Sequence, residues 1–284
     1  MIKKYFKSGV LFLICFTFIF NAYFQYRIKQ QSKIIASGNN SYFRNIYLPD
    51  RSDGFKPKFI PNYTATCKIP ILMYHSIGYE KGNVLRVPKD KFYLEMKYLK
   101  ENGFTSLSFD QLYNILSGTE KPPKKPILIS FDDGYQDNYK NAYPILKELG
   151  LKATIFVITD CIDKNNSYIT SKQIREMIKN GIDVESHTEK HYDLSNLSYN
   201  VQFQTLKKSR EKLEYIEEKK IKYLSYPVGK YNKYTEKAAK DAGYIMAVTT
   251  KPGFASKNNG FFFLHRVRII NSQSLNGFKS MLKY

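Results

Sequence analysis

The feature that most limits what this chain can fold into is an alternation of short apolar runs with amphipathic ones, starting near Lys68 and continuing through most of the 284 residues. "IPILMYHSI" reads as a strand and "KDKFYLEMKYLKENG" as a helix ending at Gly103. "FTSLSF" and "DQLYNILSG" repeat the pair. The strand "PILISF" and the helix "YPILKELG" follow, with Pro144 suited to a first helical turn and Gly150 to its end. "KATIFVIT", "IDVESH", "IKYLSY" and "YIMAVTT" read as further strands. Between them "SKQIREMIKNG", "NVQFQTLKKSREKLEYIEEK" and "KYTEKAAKDAG" read as helices. The strands are apolar throughout and do not alternate, so they predict a parallel sheet covered by helices on its faces. About seven strand and helix units predict an α/β fold with barrel-like closure. In such folds the chemistry gathers where strands end, on their carboxyl side.

The amino terminus has a different character. Lys3, Lys4 and Lys7 precede the nearly uncharged run "SGVLFLICFTFIFNAYF", residues 8 to 24, which is almost long enough to span a bilayer core of ~30 Å. No small-x-small cleavage site follows it. Residues 1–24 are therefore expected to be an uncleaved transmembrane anchor, with a cleaved export signal and a secreted product as the alternative. Residues 25–66 are polar and without periodicity, and read as a stalk. Residues 67–284 form the expected catalytic domain, held at the cell membrane by a single pass and facing outward. The formal charge of +20 would attract anionic wall polymers. The basic residues form no Arg-rich block or known nucleic-acid module, which argues against nucleic acid. Of three cysteines, Cys15 lies in the anchor, and Cys67 and Cys161 could be a disulfide or two free thiols.

The polar residues of the apolar runs fall at their ends. Asp132 and Asp133 close "PILISF", His187 closes "IDVES" and His75 follows "PILMY". In "HTEKH" the imidazoles of His187 and His191 are four residues apart, and a helical turn there would aim both at one ion. A carboxylate from another strand end would complete a His, His, carboxylate set with a position left open for water. Two adjacent carboxylates repel unless they divide the work, one binding an ion and the other taking a proton from water. A protonated imidazole could then release the leaving group, with His75 and His265 as candidates.

Together these segments resemble the polysaccharide deacetylase family, the NodB-type carbohydrate esterases. "SFDDGY" is similar to its first motif, "HTEKH" to its second and "YPVG" to its third, and the resemblance spans roughly residues 69 to 270. It implies a distorted (β/α)7 barrel, a divalent metal, usually zinc, on Asp133, His187 and His191, and Asp132 as general base. It also implies an oxyanion or substrate contact at Tyr226, Pro227 and the backbone amide of Val228. "PILMYHSI" resembles the opening strand of the branch that deacetylates poly-β-1,6-N-acetylglucosamine in biofilm matrix, which assigns the acid to His75. His265 stands in a Leu-x-Arg element of that branch. Two departures stand out. Ser225 occupies the place of the family's third-motif arginine, and the segment from Asp241 lacks its usual tryptophan. The implied activity is hydrolytic N-deacetylation of an extracellular N-acetylglucosamine polymer. The alternatives are a peptidoglycan N-acetylglucosamine deacetylase and an inactive glycan-binding barrel.

Overall fold

The computed structural model describes residues 67–283. The expected anchor, with Cys15, and the stalk lie outside the described residues. Among the described residues no helix is long and apolar enough to cross a membrane.

Eight strands follow in chain order: β1 (Ile71–Tyr74), β2 (Thr105–Ser106), β3 (Pro126–Phe131), β4 (Ala153–Val157), β5 (Ile182–Ser186), β6 (Tyr223–Ser225), β7 (Met246–Pro252) and β8 (Leu264–Arg268). The helices are α1 (Lys89–Glu101), α2 (Phe109–Ser117), α3 (Tyr143–Leu149), α4 (Ser171–Ile178), α5 (Tyr199–Glu217), α6 (Thr235–Asp241) and α7 (Leu275–Met281). Seven strands form a closed ring in the order β1, β8, β7, β6, β5, β4, β3, and β3 pairs back to β1; every pairing is parallel.

The predicted ring size is right, but its membership is not. "FTSLSF" contributes only the two-residue β2, which pairs with β3 outside the ring. The seventh ring strand is β8, which the alternation did not pick out. The helix boundaries follow local chemistry: Ser108 and Thr170 cap α2 and α4 with full capping boxes, and Gly150 ends α3 at φ 64°.

Two apolar clusters divide the strand residues by parity. Leu72, Ile129, Ile155, Val184, Leu224 and Val267 pack with Phe92, Met96, Leu146, Met177 and Leu206 of the surrounding helices. Ile71, Leu128, Phe156, Tyr223, Met246 and Leu264 point the other way and meet Phe109, Leu112 and Leu116 of α2. Successive strand residues face opposite sides, so this second set fills the barrel and α2 seals one end as its floor. Phe109 packs edge-on to Phe156 at 5.3 Å between ring centres and tilted against Tyr223 at 5.4 Å. Ser130, Asp132, Ser225 and Arg266 share the interior parity and continue toward the carboxyl ends of their strands.

Candidate active site

The interior set turns polar at the carboxyl end of the barrel. Asp132 is 2 % exposed and Arg266 fully buried. The guanidinium grips the carboxylate with both forks: Nη1 donates to Oδ1 at 2.8 Å and Nη2 to Oδ2 at 2.6 Å. Arg266 is itself fixed by donating from Nε to the Thr249 carbonyl at 2.8 Å and from Nη2 to the Ser225 hydroxyl at 3.0 Å. Burial would raise the Asp132 pKa, but the Arg266 charge and hydrogen bonds override it and hold the carboxyl well below the usual range. Ser225 thus marks no loss. The arginine comes from β8, and the serine hydroxyl seats it.

Asp133 turns away from its neighbour, because its backbone enters the left-handed region at φ 73°. Its Oδ1 lies 3.5 Å from His187 Nε2 and 3.4 Å from His191 Nε2. One ligand atom from each of the three residues lies within 4.8 Å of the others. A helical turn in "HTEKH" would have aimed both imidazoles at one point. The structure shows an irregular loop instead, with Thr188 at φ 69° and His191 at φ 59°, whose left-handed kinks bring the imidazole rings to 4.8 Å between centres. His187 Nδ1 donates to the Ser225 carbonyl at 2.8 Å, which orients the ring from behind and turns Nε2 toward Asp133. Two imidazole nitrogens and one carboxylate oxygen, oriented from behind, are a donor set that fits a divalent cation with an open position.

Val228 completes the rim. The turn Pro227–Gly229 holds Val228 at φ 49°, strained for a β-branched residue. Among the described residues, four of the six non-glycine residues with positive φ, Asp133, Thr188, His191 and Val228, lie on these segments, where such strain marks functional sites. Gly229 is required by space: a Cβ there would stand 2.0 Å from Thr250 Oγ1. Tyr226 is fully buried and tilts against Tyr231 with ring centres 5.8 Å apart, and Pro227 is buried; both shape the turn through their packing. Val228 is 55 % exposed and faces outward.

His75 follows β1 and Asp132 follows β3, adjacent strands in which Tyr74 pairs with Phe131. The Asp132 amide donates to the Tyr74 carbonyl at 3.0 Å, so the two side chains leave the barrel side by side. Burial lowers the His75 pKa against the pull of Asp132 and Asp133, and its Nδ1 is buried without a hydrogen-bond partner. His265 is not brought to this mouth. It points to the opposite side of β8 from Arg266 and lines a surface pocket of about 420 Å³ with Tyr231, Lys251 and Phe263. Cys67 and Cys161 are free thiols, one before β1 and the other beyond the far end of β4.

Arg266 is the residue that sequence reasoning missed. The signal available was an arginine in an apolar strand-like run, "FFFLHRVRII", opposite a serine standing where the family carries its own.

A closed parallel barrel that gathers charged, strained residues at the strand carboxyl ends is an architecture that places its chemistry at that rim. The chain belongs to the polysaccharide deacetylase family, whose profile matches residues 119–247. It is 44 % identical over 216 residues to YxkH of Bacillus subtilis, named for the same family, covering 76 % of each chain. It is 30 % identical over 200 residues to the poly-β-1,6-N-acetyl-D-glucosamine N-deacetylase of Staphylococcus aureus, covering 64 % of this chain and 67 % of that one. Among solved structures it superposes on the Streptococcus pyogenes deacetylase PplD in complex with acetate, with TM-score 0.74 and 35 % identity. That match covers 77 % of this chain and 99 % of the other.

Proposed function

We propose that the protein removes acetyl groups by hydrolysis from an extracellular polymer of N-acetylglucosamine, with the β-1,6-linked polymer favoured. The observation that carries this is the pairing, at one barrel mouth, of an ionised Asp132 gripped by Arg266 with the Asp133, His187 and His191 donor set. The likeness to the Staphylococcus aureus enzyme supports the polymer.

A divalent cation, zinc by the nature of the donors, would be held by Asp133, His187 and His191 and would supply electrophilic polarisation for attack on an otherwise unreactive amide. Asp132, kept deprotonated, takes the proton from the attacking water. Arg266 holds the carboxylate in one orientation, so the base spends no time in unproductive rotamers. The Val228 backbone N–H donates to the acetyl oxygen as it gains negative charge. His75 then gives its proton to the departing amine nitrogen. A glycan-binding barrel without catalysis would gain nothing from a buried base beside the donor set.

The compartment is part of the same reading: residues 1–24 hold the domain, residues 67–284, at the outer face of a membrane, with 25–66 as spacer. Acetate release from β-1,6-linked and β-1,4-linked N-acetylglucosamine oligomers and from peptidoglycan, with and without chelator, tests the substrate. Release that is chelator-sensitive and greatest on the β-1,6 series is the expected result. Release greatest on peptidoglycan would transfer the assignment to that polymer, and none on any of the three would overturn the activity.

A further inference from the structure

The acid side chain has no partner to aim it, yet the backbone beneath it is held from four directions. His75 Nδ1 is buried without a hydrogen bond. Directly below, Asn138 Nδ2 donates to the His75 carbonyl at 2.7 Å. The Ser76 hydroxyl donates to Asp137 Oδ2 at 2.5 Å and the Ile77 amide to Asp137 Oδ1 at 3.0 Å. Asn141 Nδ2 donates to the Ile77 carbonyl at 2.7 Å. All three clamping residues sit on the segment that follows Asp132 and Asp133. Asn138–Ala142 forms a single π-helical turn leading into α3, a rare geometry that recurs at functional sites. Asn138 is fully buried.

We propose that Asp137, Asn138 and Asn141 are positioning residues that hold the His75 imidazole at a fixed distance from the base, so that one turn of chain sets the geometry of both proton transfers. The inference rests on the reading of His75 as the acid. Residues 75–88 form a long connection between β1 and α1. A loop of that length does not by itself fix one side chain, and small misplacements of a proton donor cost rate steeply. The clamp joins the start of that loop to the segment that begins with Asp132. Hydrogen bonds to the Asp137 carboxylate are charge-assisted and therefore the stronger ones.

The experiment compares two substrates of different leaving group. An N-acetylglucosamine oligomer needs a proton delivered to its amine, whereas para-nitrophenyl acetate releases a phenolate that needs none. For Asn138→Ala, Asp137→Asn, Asn141→Ala and His75→Gln we expect kcat on the oligomer to fall by about 10²-fold at constant KM, with a much smaller fall on the ester. Metal content and melting temperature are measured alongside. Equal losses on both substrates in the clamp variants, with the split intact in His75→Gln, would reject the clamp and leave the acid assignment standing. Equal losses in His75→Gln itself would bring down both. If Asn138→Ala does not fold, Asn141→Ala, which removes one bond from a half-buried side chain, decides the matter.

Discussion

The two ends of the barrel interior are built from the same strands and the same inward parity, yet they solve opposite problems. At the floor, Ile71, Leu128, Tyr223 and Leu264 pack on Phe109 and Leu112 of α2, where apolar burial stabilises them and the Tyr223 hydroxyl reaches out to donate to Asp110. At the mouth, two or four residues further along β3, β6 and β8, Ser130, Asp132, Ser225 and Arg266 share the inward parity, where burial is a penalty that only paired hydrogen bonds offset. Floor substitutions should therefore cost stability and mouth substitutions rate, and a residue that costs both marks where the two regimes meet.

The largest expected effect is at the base. Asp132→Asn should lower turnover by roughly 10²–10⁴-fold while the protein still binds one divalent ion, read by acetate release together with metal analysis. Arg266→Met is the boundary case. It strands a buried carboxylate, so unfolding should lose about 3–5 kcal/mol in urea titration, and the surviving folded protein should turn over poorly. Phe109→Ala in the floor should also cost about 3–5 kcal/mol, but with turnover per folded molecule unchanged, and a fall in that turnover would show that the two ends are coupled. A smaller effect is expected outside the barrel, where burial lifts the Glu95 carboxyl to about 7, partly relieved by the Tyr74 hydroxyl 2.8 Å away and by Lys91. The folded state binds this proton more tightly than the unfolded chain. Its stabilising contribution is thus complete below the ordinary glutamate value of 4.5 and is lost as pH rises through about 7. Glu95→Gln should flatten that decline, measured as the urea midpoint between pH 4.5 and about 7; Glu217, also lifted to about 7, keeps a share of it.

Most of the mouth was legible because its chemistry sits in contiguous segments. "SFDDGY" and "HTEKH" each carry their donors within five residues, and the strand that delivers each ends where the apolar run ends. What sequence could not show was where the chain makes contact across the ring. Arg266 acts through a bidentate grip on Asp132, a residue 134 positions away, and a lone arginine in a strand carries no local sign of burial. The way "HTEKH" brings its imidazoles together was hidden for a related reason: a helical turn was the local route to that end, whereas the left-handed backbone at Thr188 and His191 is imposed by the surroundings and not by propensity. "DQLYNILSG" is the helix its pattern predicts, but its place as the floor was not legible, because pattern does not say whether an apolar face meets the outside of a barrel or its open end.

The ring closes by pairing β1 with both β3 and β8, so the first strand to be made must wait for the last. Asp132 and His75 lie on early segments of the chain, but the guanidinium that keeps Asp132 charged arrives only with β8. Asp132 therefore stays an unpaired carboxylate, and the mouth unformed, until β8 docks between β7 and β1.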